Sequence, residues 1–173
     1  MSVDFQPATP QPSLADLTQE IVDTHHAYVR KGLADLTHLV TLVARVHGGS
    51  HAELAQVKDT YTAAITILEP HLTTAERDVF PAIGRLEQTR ASESSLTQPI
   101  AQLRAEHQAV GQLFATLREL TSDYAVPADA CEAYQGMLGG LVAMEQNLQE
   151  LTNKENNVLF PRALELEAQL TKA

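Results

Sequence analysis

"HLTTAERDVFP" (residues 71–81) and "LTNKENNVLFP" (residues 151–161) end on the same Phe-Pro pair and align without a gap. In the first, His71 heads the segment and Ala75 stands four residues on. In the second, Leu151 heads it and Glu155 stands at that spacing. Residues four apart on an α-helix project within about 40° of one another, so a His and a Glu so placed can grip one ion. Each copy keeps one half of that pair. His26 precedes His71 by 45 residues and His107 precedes Leu151 by 44, so the likeness extends to two helix-pair repeats.

Outward from these stretches the apolar positions recur at helical spacing. Leu17, Ile21, Tyr28, Leu33, Leu36, Val40 and Val43 mark one long helix, with a possible bend at Gly32, up to "HGGS" at 47–50. Ser50 and Glu53 have the form of a capping box, and Leu54, Val57, Tyr61, Ile65 and Leu68 continue a second helix that Pro70 should bend and Pro81 should end. After a polar linker at 87–98, Ile100, Leu103, His107, Val110, Phe114 and Leu117 mark a third. A fourth, weakened at Gly139 and Gly140, begins around Pro127 and runs through Leu138, Leu141, Met144 and Leu148 toward Phe160 and Pro161. Residues 1–13, with three prolines, read as a flexible leader, and residues 14–173 as one all-α domain, an antiparallel four-helix bundle.

Composition agrees. The 173 residues suffice for one core, and with no Trp and 5% aromatics they favour helix over sheet. A formal net charge of -10 offers no field for phosphates, which argues against nucleic acid or an anionic membrane as partner. A single cysteine, Cys131, cannot pair within the chain, and no signal-like or bilayer-length apolar run is present, so a cytoplasmic setting is expected.

The histidines follow the helical plan. His26, His47, His71 and His107 fall on three helices, with Glu155 on the fourth, and bundles build metal sites from such residues on facing helices. Any one of these histidines alone would read as a packed, hydrogen-bonded residue; four of them with a carboxylate at one level of the bundle read as a metal site. Glu76, five after His71, diverges by about 140° and is a poor substitute for a carboxylate at 75 unless the turn is rotated. His51 can share an ion with His47 only if that turn is helical. His25 should face away from His26, and His38 should pack or meet solvent.

The segments "HHAYVRKGLADL", "RVHGGSHAEL", "EPHLTTAERDVFPAI", "LRAEHQAVGQLFATLRELTSDY" and "KENNVLFPRAL" resemble, in order and spacing, the hemerythrin-like (HHE) domain of the di-iron proteins that repair iron centres. The likeness covers about residues 18–165. It implies a hemerythrin-like bundle with terminal ligands His26, His47, His71 and His107 and a bridging Glu155, and a role in restoring iron-sulfur clusters damaged by nitric oxide or oxidants. The family pattern also has a second bridging Glu at the position of Ala75 and a further His at that of Leu151, and both are replaced here. Larger members carry an amino-terminal domain with a Cys pair in place of this leader, so a thiol-based delivery step within this chain is not expected.

The resemblance therefore implies non-haem iron in an incomplete or mononuclear site, one or two ions, with zinc or manganese as other occupants. One metal at His26, His71 and Glu155, with His47 and His107 holding a second or none, would satisfy the ligands left. The partners implied are a diatomic ligand, nitric oxide or oxygen, and an apo iron-sulfur protein. Two other readings stay open: a metal-poor bundle serving as a haem- or protein-binding regulatory module, and a mononuclear iron oxidase or oxygenase.

Overall fold

The computed structural model describes residues 11–91 and 94–172, and these form helices and connecting turns with no strand among them. Seven α-helices are arranged as four rods. The first rod is α1 (Leu14–Ile21), a π-helical turn (Val22–His26) and α2 (Ala27–His47). The second is α3 (Glu53–Thr74), a π turn (Ala75–Val79) and α4 (Phe80–Thr89); α5 (Thr97–Leu120) is the third. The fourth is α6 (Glu132–Lys154), a π turn (Glu155–Leu159) and α7 (Phe160–Thr171). The expected leader falls largely on residues 1–10, outside those described.

The apolar stripes read from the sequence bury one continuous core. Val29, Leu36, Val40, Leu54, Val57, Tyr61, Ile100, Leu103, Leu117, Met137 and Leu141 are all nearly inaccessible. α2 packs against α3 and α6, α3 against α5, and α5 against α6, which closes the ring of four rods. At one end α1 packs on α4 and α4 on α7. Gly140 lets α6 approach α2 closely: a Cβ there would stand 2.9 Å from Leu36 Cδ1. The helix continues through Gly139 and Gly140, and the lost propensity at Gly140 is offset by that contact.

Several local expectations change. Pro70 lies inside α3, which continues past it, and the Phe-Pro pairs do not stop their helices: Pro81 and Pro161 sit in the first turns of α4 and α7. Before each Phe-Pro the chain widens into a π turn, in which the Phe80 N–H bonds the Ala75 carbonyl and the Phe160 N–H that of Glu155. A proline lacks an N–H and crowds the preceding turn, and the wider turn absorbs both effects. Ser50 makes no cap, since α3 begins after Ala52 and Glu53 instead accepts from His51 Nδ1 at 3.0 Å. α6 starts at Glu132, five residues beyond Pro127.

The repeat also appears in how the helices begin. Ser13 and Asp16 form a capping box at α1, where the Leu14 and Ala15 N–H groups donate to the Glu87 carboxylate of α4 at 2.8 and 3.0 Å. At α5 the Leu96 N–H donates to Glu167 Oε1 of α7 at 2.9 Å. In each half, a carboxylate from the rod's last helix meets the positive end of a first helix. Glu87→Ala removes both acceptors, and the expected cost is about 1–2 kcal/mol, read as a lowered midpoint in urea denaturation with unchanged slope.

Candidate metal centre

The three π turns lie at one level of the bundle and carry the residues that converge there. Such a turn holds one residue more than an α-turn, so it re-aims the side chains around it by about 100°. His26 ends the first turn and Glu155 begins the third. His71 comes one turn before the second, and His107 projects from the middle of α5. His26 and Glu155 are fully buried, and His71 and His107 nearly so.

Each of these imidazoles is held from behind. His26 Nδ1 lies 2.9 Å from Glu76 Oε1, whose other oxygen pairs with Arg30 at 2.9 Å. His71 Nδ1 lies 2.8 Å from Glu106 Oε2, and His107 Nδ1 lies 3.0 Å from Asn156 Oδ1. An acceptor on Nδ1 keeps the proton there and turns a bare Nε2 toward the centre, the arrangement in which metal-binding histidines are oriented. Glu76, weighed from the sequence as a replacement ligand, thus stands behind His26.

On the inner side, His26 Nε2 is 3.3 Å from Glu155 Oε1, and His107 Nε2 is 3.0 Å from Glu155 Oε2. His71 Nε2 is 3.2 Å from His107 Nε2 and 3.9 Å from Glu155 Oε2. The His107 contact to Oε2 is short but not aligned as a hydrogen bond, which leaves that buried oxygen without one. Nitrogen lone pairs 3.2 Å apart repel each other, and beside them lies a buried carboxylate, so the cluster requires a cation, either a proton or a metal ion. His71, His107 and Glu155 each offer a donor atom, all within 4.8 Å of one another. The donors fit a non-haem metal.

Electrostatics favour the ligating forms of His71 and Glu155. Burial, and then the neighbouring His107, lower the His71 pKa, which favours the neutral ring. Burial alone would raise the Glu155 carboxyl, but its close contacts with the imidazoles of His107 and His26 outweigh it and hold it at about 2.

Of the five residues singled out in the sequence, the structure brings His26, His71, His107 and Glu155 together and leaves His47 apart. His47 ends α2, about 30 Å along the rod from His26 at 1.5 Å per residue. Its Nε2 lies 3.2 Å from Cys131 Sγ, and its ring packs on Tyr134. The straight rod is the reason: nothing between 27 and 47 folds the chain back. His107, which the sequence leaves to hold a second ion with His47 or none, lies beside His71 instead. His51 also lies at that far end, paired with Asp129 at 3.0 Å. Ala75 and Leu151 are buried apolar residues with no donor to offer.

Of the groups behind the rings, the sequence marks Asn156 as a residue that satisfies a helix end or supports a ligand, and does not mark Glu76 or Glu106 as supports. Glu106 directly precedes His107 and Asn156 directly follows Glu155, yet which ring each supports is decided across the bundle. His25, expected to face outward, is buried with both ring nitrogens unpartnered, because the π turn draws it inward with His26.

A family model for the hemerythrin HHE cation binding domain matches residues 17–163. The chain is 33% identical over 144 residues to the iron-sulfur cluster repair protein ScdA of Staphylococcus haemolyticus, an alignment covering 83% of this chain and 64% of that protein. It is 32% identical over 151 residues to the iron-sulfur cluster repair protein YtfE of Salmonella newport, covering 87% of this chain and 66% of that one. The chain thus spans just under two thirds of the length of these relatives. Helices, the histidine cluster and the match over most of the sequence agree: the chain belongs to the hemerythrin HHE cation-binding family, whose cation is non-haem iron.

Proposed function

We propose that the chain holds a single non-haem iron at His26, His71, His107 and Glu155 and serves in the repair of iron-sulfur clusters, giving up iron to an apo iron-sulfur protein. One observation supports the single ion: three inward Nε2 atoms share one carboxylate, and Ala75 and Leu151 supply no donors for a second. The names of the relatives support the repair role. Iron held there supplies a redox-active Lewis acid that accepts small ligands such as nitric oxide or oxygen.

The chain's own residues favour exchange over permanent retention. His26 and His71 are oriented by carboxylates with solvent access, and four protein donors leave coordination positions open to the ligands of an acceptor. The lone Cys131 sits at the far end of the bundle and cannot extract the ion, so a thiol or a target protein must receive it. In this reading the protein works in the cytoplasm, where such acceptors are reduced and nitrosative or oxidative damage to clusters is repaired.

Metal analysis after anaerobic purification from iron-replete cells should give close to one iron per chain, and that iron should appear in an apo iron-sulfur protein incubated with sulfide. Two tightly held irons per chain would overturn the mononuclear reading. No iron would favour the metal-poor regulatory module.

A further inference from the structure

A cleft of about 300 Å³ opens between α3, α5 and α6 and reaches the metal centre from the side. His71 and His107 form one end, Leu68, Val110, Phe114, Leu148 and Leu151 are among its apolar residues, and Glu145 lies toward the other end. Leu151, where the repeat calls for an imidazole, is here a section of apolar wall. The cleft is therefore too large and too apolar to be needed for a diatomic gas alone, and it falls within the size range of small-molecule sites.

The two carboxylates in the lining are not equivalent. Glu106 is occupied on both oxygens, by His71 and by Gln102 at 3.0 Å. Glu145 accepts from Arg118 at 2.9 Å and from the Tyr124 hydroxyl at 2.8 Å, both on Oε2, so Oε1 is the acceptor left for an occupant. No lysine or arginine lines the cleft. Glu145 precedes Leu151 on α6 by about 9 Å of helix rise, the length of a short aliphatic chain.

We propose that this cleft binds a small organic molecule with a hydrogen-bond-donating head, a hydroxyl or an ammonium, at Glu145 and an apolar body lying toward His71 and His107. A carboxylate head is disfavoured at Glu145 itself, where it would meet a like charge whose own partner, Arg118, lies outside the lining. The site is a property of the cleft walls and goes beyond the repair role.

The test uses the full chain loaded with zinc, whose diamagnetism leaves NMR signals sharp, and titrates it with hexanol, hexylamine and methyl pentyl ether, which has no donor to offer. Saturable shifts at Gly111, Leu148 and Leu151 are expected with the alcohol and the amine, and binding of the ether at least tenfold weaker. Gly111→Phe adds a ring to the lining at a position where a Cβ meets nothing within 4 Å, and should weaken binding of the alcohol and the amine tenfold or more while the protein stays folded. Glu145→Leu should abolish the discrimination against the ether. Equal binding of the three probes, shifts untouched by Gly111→Phe, or no saturable shift at all would each overturn the proposal. Zinc content, measured on the same sample, decides the metal centre separately, so failure of the cleft and failure of the centre are distinguishable.

Discussion

Glu155→Gln is expected to lower metal affinity more than 100-fold while leaving the helical fold intact. The substitution keeps the volume of a fully buried side chain and removes the one anionic donor among three imidazoles. Loss of a group merely supporting a ligand costs 10–100-fold, so loss of the ligand itself must exceed that. Competition with a chelator of known affinity measures the change, and a loss of less than tenfold would remove Glu155 from the ligand set. The metal-free protein adds a signature in pH. The Glu155 carboxyl is held at about 2 in the fold against an ordinary 4.5. A depressed carboxylate contributes stability that is present above its unfolded value and lost as pH falls through the folded one. That contribution is roughly 3 kcal/mol, on the order of 1.4 kcal/mol per unit. Glu155→Gln should therefore destabilise the metal-free protein above about pH 5, and the difference from the parent chain should shrink as pH falls toward 2.

The four rods were legible because burial imposes a period on the sequence: the stripe Leu33, Leu36, Val40 and Val43 can only face one way on a helix. The ends of elements were harder, and the Phe-Pro pairs show why. A proline announces that an α-helical hydrogen bond is missing, yet says nothing about whether the chain stops or widens. Here packing of Phe80 and Phe160 into the core makes the wider turn the cheaper outcome, and that turn then sets the direction of Glu155. The site followed the same division. His71 and Glu155 were visible through their repeat, and His26 and His107 through their places on the stripes. His47 shares that stripe-like placement, but spacing along a chain does not reveal that the intervening 20 residues run straight. The supporting carboxylates Glu76 and Glu106 were illegible as such because a hydrogen bond between rods leaves no period in either rod.

Restoring both replaced donors should convert the centre from one metal per chain to two. Leu151→His is the easier half: Leu151 borders the cleft, so an imidazole has room, and the expected cost is about 1–2 kcal/mol of lost apolar burial. Ala75→Glu is the harder half, because Ala75 is fully buried at the start of a π turn and a carboxylate there must be desolvated. Without metal, that single substitution should destabilise the fold by about 3–5 kcal/mol, the cost of an uncompensated buried charge, or force the new group to take up a proton. With metal, the sign reverses. A cation that binds only the folded state stabilises it by mass action, about 2.7 kcal/mol at a hundredfold excess over Kd, so the double variant should be the most metal-dependent in thermal stability. Metal content and melting temperature with and without iron decide the matter together. A double variant that still holds one iron, or that melts alike with and without it, would mean that the geometry at 75 and 151 no longer converges and that the two replacements reshaped the bundle beyond the loss of donors.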